Sequence, residues 1–301
     1  MTMSRVLTGI DGSPQSAAAA RWAAGEAVRR GTGLLILHAW PWLGTEFAEG
    51  TPAGDLRPAA LRALADTAEE IRRAHPGLSV ETMVVGEDPA DALLAAAEKQ
   101  DLLVLGSRGL GGFAGLLVGS VGLAVAARVS VPLVLVRADG TDGTDRTDGT
   151  DGHQDGSPGG REVVVGVDGH HASGAVLDFA FAEAARRGAR LRAVHGWDLM
   201  PVWTATGWVP AQVDITAQEA AEQAVLAEAL ADARAAHPDV EVIAETRLGG
   251  SARAVVAASA GADLVVVGRH DRHHPLGMRL GPVAHAVIHH SAAPVAVVPH
   301  P

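Results

Sequence analysis

Short apolar runs alternate with longer segments whose apolar residues recur at helical spacing, and the whole series occurs twice along the 301-residue chain. The first run, residues 6–10, leads into Asp11-Gly12-Ser13-Pro14, which places Ser13 as a helix N-cap and Pro14 at the first helical position. The helix it opens carries Ala17, Ala20, Ala24, Ala27 and Val28 on one face, and Gly31 ends it. Residues 34–37 are apolar without alternation, the pattern of a strand covered on both faces. A helix over 61–74, a strand over 80–85 and a helix from Asp88-Pro89 through Lys99 follow. Residues 102–105 form the next buried strand. A glycine-rich loop, a helix over 120–128 and a strand over 133–136 complete the series.

Gly9-Ile10-Asp11-Gly12 recurs as Gly166-Val167-Asp168-Gly169, and Leu37-His38-Ala39-Trp40 as Val194-His195-Gly196-Trp197, both 157 residues further on. His75-Pro76 and His237-Pro238, Gly106 and Gly268, and Pro132 and Pro294 are each 162 apart, so one net insertion of five residues lies between Trp197 and His237. The chain therefore reads as two copies of one domain, 1–137 and 161–301. Strands in the second copy are expected at 163–167, 191–195, 240–245, 264–267 and 295–298.

Residues 138–160 hold six Asp, one Arg and no large apolar side chain, the composition of a disordered, self-repelling linker. Asp151, Asp155, Gly156 and Glu162 fit four positions of a calcium-binding EF-hand loop. His153 breaks that pattern, no helix flanks it and Glu162 enters a strand, so a plain tether is expected. Strand–helix alternation implies an α/β fold of two tandem doubly wound, parallel, five-stranded sheets. Such sheets bind ligands beyond the strand C-termini, where the strand order reverses. Asp11, His38-Ala39 and Gly106 all fall at strand C-termini.

Composition narrows the function. With Lys+Arg at 24 and Asp+Glu at 35, the net charge of −11 argues against a nucleic-acid partner. Aromatic residues are 3% and Tyr is absent, so the core must be built from Ala, Val and Leu. No Cys is present, which excludes disulfides, thiolate metal sites and a cysteine nucleophile. The single Lys, Lys99, precedes the glycine loop, so the phosphate-binding P-loop pattern is missing, as is G-x-G-x-x-G after the first strand. The uncharged stretch 110–127 contains five Gly and Ser120 and is not expected to span a membrane. With no signal-peptide pattern at the N-terminus, a cytoplasmic location is expected.

The strongest local signal is Gly106-Ser107-Arg108-Gly109, nine residues, then Gly119-Ser120-Val121. Gly106 and Gly109 let the main chain bend and approach a ligand. Gly119 and Ser120 open a helix, where amides and a hydroxyl face an anion. The alternative is a glycine-rich turn without a ligand. The arrangement resembles the universal stress protein family, whose ATP-binding members carry G-x2-G-x9-G-[S/T] after the fourth strand; the Gly-Ile-Asp-Gly-Ser opening, the strand ending at His38-Ala39 and Val131-Pro132-Leu133-Val134 extend the likeness.

That resemblance implies a Rossmann-like, adenine nucleotide alpha hydrolase-like fold and ATP, with or without Mg2+, as ligand. Asp11 with Gly9 would meet the ribose or adenine side, although Asp11 also suits a capping role. Ala39 would offer main-chain groups to adenine, and Gly106, Arg108, Gly109, Gly119, Ser120 and Val121 would hold ribose and phosphates. The second copy supplies Gly166, Asp168, Gly196, Gly268, Gly281, Pro282 and Val283 at the corresponding places. There Asp271 replaces the second glycine, Pro282 the serine and His170 the Ser13 position, while Arg269, Arg272 and Arg279 bring positive charge; weaker or altered binding is expected. The implied function is a nucleotide-dependent stress-response sensor or regulator with at most weak ATP hydrolysis. A slow ATPase or phosphotransferase and a nucleotide-free interaction scaffold are the alternatives. The implied partners are the other copy through strands 133–136 and 295–298, a second chain in a homodimer, and a further protein.

Two other groups stand out. His270, His273, His274, His285, His289 and His290 cluster in the second copy, with His285 and His289 on one helical face. No third ligand sits at a defining spacing, so no metal site is expected. Trp40, Trp42, Trp197, Trp203 and Trp208 either pack beneath the loop after the second strand or cover the mouth of the cleft.

Overall fold

The computed structural model describes residues 4–41, 52–107, 109, 118–137, 161–199, 202–204, 207–209, 214–270 and 280–301. The chain divides into two compact units, Met1–Gly156 and Ser157–Pro301. The tether expected at 138–160, with its EF-hand-like frame, lies outside the described residues except for Glu162.

The first unit runs β1 (Arg5–Gly9), α1 (Pro14–Arg30), β2 (Gly33–Ala39), α2 (Pro52–Ala74), β3 (Val80–Val85), α3 (Pro89–Ala97), β4 (Leu102–Gly106), α4 (Ser120–Ala126) and β5 (Leu133–Val136). Its strands are all parallel in the order β5-β4-β1-β2-β3. The order reverses between β1 and β4, which opens the sheet's crevice beyond the C-terminal ends of those two strands.

The second unit repeats the scheme as β6 (Glu162–Gly166), α5 (Gly174–Arg187), β7 (Arg190–Trp197), β8 (Val202–Thr204), β9 (Gly207–Val209), α6 (Ile215–Ala229), α7 (Ala231–Ala236), β10 (Val242–Leu248), α8 (Ser251–Ala258), β11 (Leu264–His270), α9 (Pro282–His290) and β12 (Val295–His300). Its parallel order is β10-β7-β6-β11-β12. β8 and β9 form a separate antiparallel pair within the segment that carries the insertion. Among the described residues, no helix is long and apolar enough to cross a membrane.

Helix ends follow the side chains that can satisfy them. Ser13 Oγ accepts the Ser16 N–H at 3.1 Å, and Asp88 Oδ1 accepts the Ala90 N–H at 2.9 Å. Gly31 closes α1 in the left-handed region, φ 63°, which costs a glycine nothing. The inner face of α1, packed on β1 and β4, is Ala19, Ala20, Ala23, Ala24 and Ala27, all at 0% exposure. Val28, which the periodicity places on that face, is 51% exposed. Alanine occurs all around this helix, so the apolar pattern alone leaves its phase undetermined.

Charge inside the units is paired. Buried Glu26 accepts from Arg29 and Arg30, and Glu183 on α5, 157 residues later, accepts from Arg186 and Arg187. Glu162 on β6 is bound by Arg190 at 2.6 Å and Arg192 at 2.9 Å, and Arg192 reaches Glu245 on β10 at 3.0 Å. Those arginines engage both oxygens of the Glu162 carboxylate.

Because Ala20 is fully buried where α1 packs on the sheet, Ala20→Leu should overpack the interface and cost about 1–3 kcal/mol, measured as a lower urea midpoint.

Candidate functional site

In the first unit, three adjacent strands deliver the expected residues to one edge. Gly106 ends β4, Asp11 lies two residues beyond the end of β1, and Ala39 ends β2. Asp11 Oδ1 accepts the Ser13 N–H at 2.9 Å, which folds the chain into the start of α1. Its other oxygen, Oδ2, lies where a Cβ on residue 109 would stand, so the bare main chain of Gly109 rests against the carboxylate and a side chain there would have to push it aside. Gly109, three residues past the end of β4, thus meets Asp11, two residues past the end of β1. Gly9 serves packing instead. A Cβ there would be 2.8 Å from a Leu93 methyl and 3.0 Å from one of Leu105, so its bare backbone lets α3 lie close.

The base of the glycine loop is tied. The Gly119 N–H donates to the Ser107 carbonyl at 2.7 Å, and the Ser107 N–H to the Val136 carbonyl at 2.7 Å. The Gly119 amide is therefore engaged by protein, and Ser120 and Val121 begin α4 just beyond it; no side chain caps this helix. Arg108 and residues 110–117 lie outside the described residues. Beside the crevice, buried His38 has Nδ1 2.8 Å from the Ile10 carbonyl and its ring stacked on Trp40, while its Nε2 has no hydrogen-bond partner among the described residues. Trp40 and Trp197 pack; Trp42 and the side chains of Trp203 and Trp208 lie outside the described set.

The second unit departs from this geometry in ways the pattern only partly announces. Gly166 ends β6 and packs against Val255, where a Cβ would be 2.9 Å from a methyl. Asp168 Oδ1 accepts the His170 and His171 N–H groups at 3.1 and 3.3 Å, the same turn that Asp11 makes. The Gly196 carbonyl accepts the Ser251 hydroxyl at 2.9 Å, and the backbone of Gly250 and Ser251 occupies the space a side chain would need. The strand expected to stop at 267 continues to His270, because β12 also continues, pairing Arg269 with Pro299 and His270 with His300. Gly268 is consequently inside a strand, with the space of a Cβ filled by the His300 ring. Gly281 caps α9, and Pro282 and Val283 are its first residues. Asp271, Arg272, His273, His274 and Arg279 lie outside the described residues.

This unit also holds a cluster that residue spacing does not reveal. His195 on β7, the counterpart of His38, has Nδ1 3.0 Å from the Val167 carbonyl and Nε2 3.2 Å from Glu222 Oε2 on α6. His170, in the loop after β6, places Nε2 3.5 Å from the same oxygen. Burial pushes the Glu222 carboxyl up, but hydrogen bonds from Gln218 and His195 outweigh it and hold the group below the ordinary carboxylate value. The one signal in the chain is the replacement of Ser13 by His170 next to a repeated strand histidine. His285 and His289 do stack on α9, with ring centres 4.5 Å apart.

Known proteins agree with this architecture. The model of the universal stress protein family matches residues 3–137 and again 160–299. The chain belongs to the universal stress protein family. A universal stress protein of Mycobacterium tuberculosis is 33% identical over 299 residues, covering 97% of this chain and 96% of its own. The crystal structure of a universal stress protein from Archaeoglobus fulgidus covers 99% of both chains with a TM-score of 0.64 at 19% identity, a likeness of fold. A universal stress protein solved in complex with cAMP is 29% identical, covering 46% of this chain and 99% of its own, with a TM-score of 0.36. The family's tandem form accounts for the repeat.

Two outcomes follow from this geometry. Gly109→Ala should displace the Asp11 carboxylate and cost about 0.5–1.5 kcal/mol, the worth of its bond from Ser13, and the loss should largely vanish in an Asp11→Ala background; urea melts of the double-mutant cycle test this. Burial, then the neighbouring charges of His285 and His290, hold His289 below the ordinary histidine pKa of 6.5. The unfolded chain then binds the proton more readily, so this group's contribution is full above that value and is lost as pH falls toward the folded one. His289→Gln should shrink the drop in urea midpoint between about pH 7.5 and about pH 5.5.

Proposed function

We propose that the first unit binds an adenine nucleotide, ATP with or without Mg2+ being the expected form, in the crevice between the ends of β1 and β4. Occupancy then regulates the protein's associations in a stress response; it does not drive a reaction. The observation that supports this most directly is the meeting of Asp11 and Gly109 across the reversal of strand order. A carboxylate from one strand end and the bare main chain from the other lie in contact there, so polar side-chain and main-chain groups converge where a nucleotide would sit. The motif G-x2-G-x9-G-S is complete in this unit, and the family's ATP-binding members carry it.

Within that reading Asp11 accepts hydroxyls from the sugar side, and the main chain at Ala39 borders the base. Gly106, Arg108 and Gly109 follow the ribose and phosphates. Gly119 spends its N–H on Ser107, so the phosphate contacts at the far side fall to the Ser120 hydroxyl and the amides after it. The second unit lacks that hydroxyl and, at Pro282, an amide, and its Gly268 is closed over by His300, which supports weaker or altered binding there. Ground-state binding of this kind raises no rate by itself.

Calorimetry with ATP on the full chain, together with mass spectrometry of nucleotide retained through purification, tests the reading. Gly119→Glu, which adds bulk and negative charge beside Ser120, should weaken ATP at least about tenfold, roughly 1.4 kcal/mol. Saturating ATP should also raise the melting temperature by linkage. Unchanged affinity in the variant removes this loop from the site, and sustained phosphate release by the wild type replaces the regulator with a hydrolase.

A further inference from the structure

We infer that His170, His195 and Glu222 form a binding site for a divalent transition-metal ion of the zinc class in the second unit. The inference stands apart from nucleotide binding in the first. One ligand atom from each residue lies within 4.8 Å of the other two. Two of the edges are 3.2 Å, His195 Nε2 to Glu222 Oε2, and 3.5 Å, His170 Nε2 to the same oxygen. Ligands about 2.0–2.1 Å from a tetrahedral zinc ion lie about 3.3–3.4 Å from one another. Two imidazoles and a carboxylate with a position left for water are also a donor set that zinc takes in proteins.

The supports behind the ligands make this a built site and not a chance meeting of polar side chains. Gln218 Nε2 donates to Glu222 Oε1 at 2.7 Å, which turns Oε2 toward the histidines. His195 Nδ1 is 3.0 Å from the Val167 carbonyl, and only an N–H can satisfy that oxygen. With the proton there, neutral His195 turns its Nε2 lone pair toward Glu222 Oε2 at 3.2 Å, a gap that a metal ion bridges when bound and a second ring proton bridges otherwise. The Gly169 N–H, 3.2 Å from Nδ1, favours the opposite tautomer. In the first unit His38 makes the matching contact, Nδ1 2.8 Å from the Ile10 carbonyl, so both copies aim this nitrogen at a strand-end carbonyl. Such outer partners hold and orient metal-bound histidines and carboxylates.

Charge makes the same demand. The other buried glutamates, Glu26, Glu162 and Glu183, each meet two arginines. Glu222 is equally buried, and among the described residues it meets only two imidazoles and an amide. An ion supplies the positive charge a buried carboxylate requires. His170, with a side chain 59% exposed, closes the site from the solvent side and leaves an entry path. The first unit has Ser13 in place of His170, and among the described residues no carboxylate meets His38.

The test uses untagged full-length protein, stripped with chelator and titrated with cobalt(II) and then zinc(II). One equivalent of cobalt should bind with the intense visible bands of a tetrahedral site, and zinc should displace it and raise the melting temperature. His170→Ala, at an exposed position that should leave folding unchanged, and Glu222→Gln should each abolish those bands. Gln218→Ala should weaken affinity about 10–100-fold while keeping the bands. His289→Ala should leave the cobalt bands and the metal affinity unchanged. Absence of stoichiometric binding by the wild type overturns the inference, as does binding that survives both His170→Ala and Glu222→Gln.

Discussion

Close approach of helices to sheet through alanine is the constraint on which the rest of this structure depends. With aromatic residues at 3%, the chain covers parallel strands of Val and Leu with helices rich in alanine; the inner face of α1 carries methyl groups alone, and other helices add a few larger side chains such as Leu93, Phe181 and Val255. Dispersion between closely spaced backbones and burial of both sheet faces then supply the cohesion that large side chains give elsewhere. Strands buried on both faces leave chemistry one place to go, the edge where they end. Asp11, Gly109, His170 and His195 all stand there, and each is aimed by a strand or turn that packing has already fixed.

Much of this is legible in the chain. The two constant offsets locate the copies, and β3 and β5 begin and end where the apolar runs do. What escapes does so for physical reasons. An alanine helix carries no phase, so the pattern turns Val28 inward where the fold turns it outward. β11 outruns its pattern because β12 offers two further residues to pair with, information held 30 residues away. The hairpin β8–β9 has strands of three residues, too short for any period to register. α2 begins nine residues before its apolar stripe does.

The candidate site divides along the same line. Asp11 and Gly109 are legible because a strand end and a glycine spacing are local signals, and the topology needs only to bring them together. His170, His195 and Glu222 lie 25 and 27 residues apart on a loop, a strand and a helix, and no spacing rule connects them. Only the parallel crossover from β6 to β7, with α6 laid against it, puts them in reach. The duplication sharpens the point: one strand histidine, kept in both copies on the same kind of carbonyl, has been given different company in each.

The arginine–glutamate ladder across β6, β7 and β10 has a consequence for how the second sheet assembles. Buried strands such as β6 and β11, which are runs of Val and Leu, carry little by themselves to distinguish one alignment from the next. Glu162 between Arg190 and Arg192, and Glu245 between Arg192 and Arg247, act as a vernier: sliding either neighbour along by a residue turns those charges to the opposite face. Sequence economy in the core is thus compensated by a few ion pairs that write the alignment into the edges of otherwise interchangeable strands.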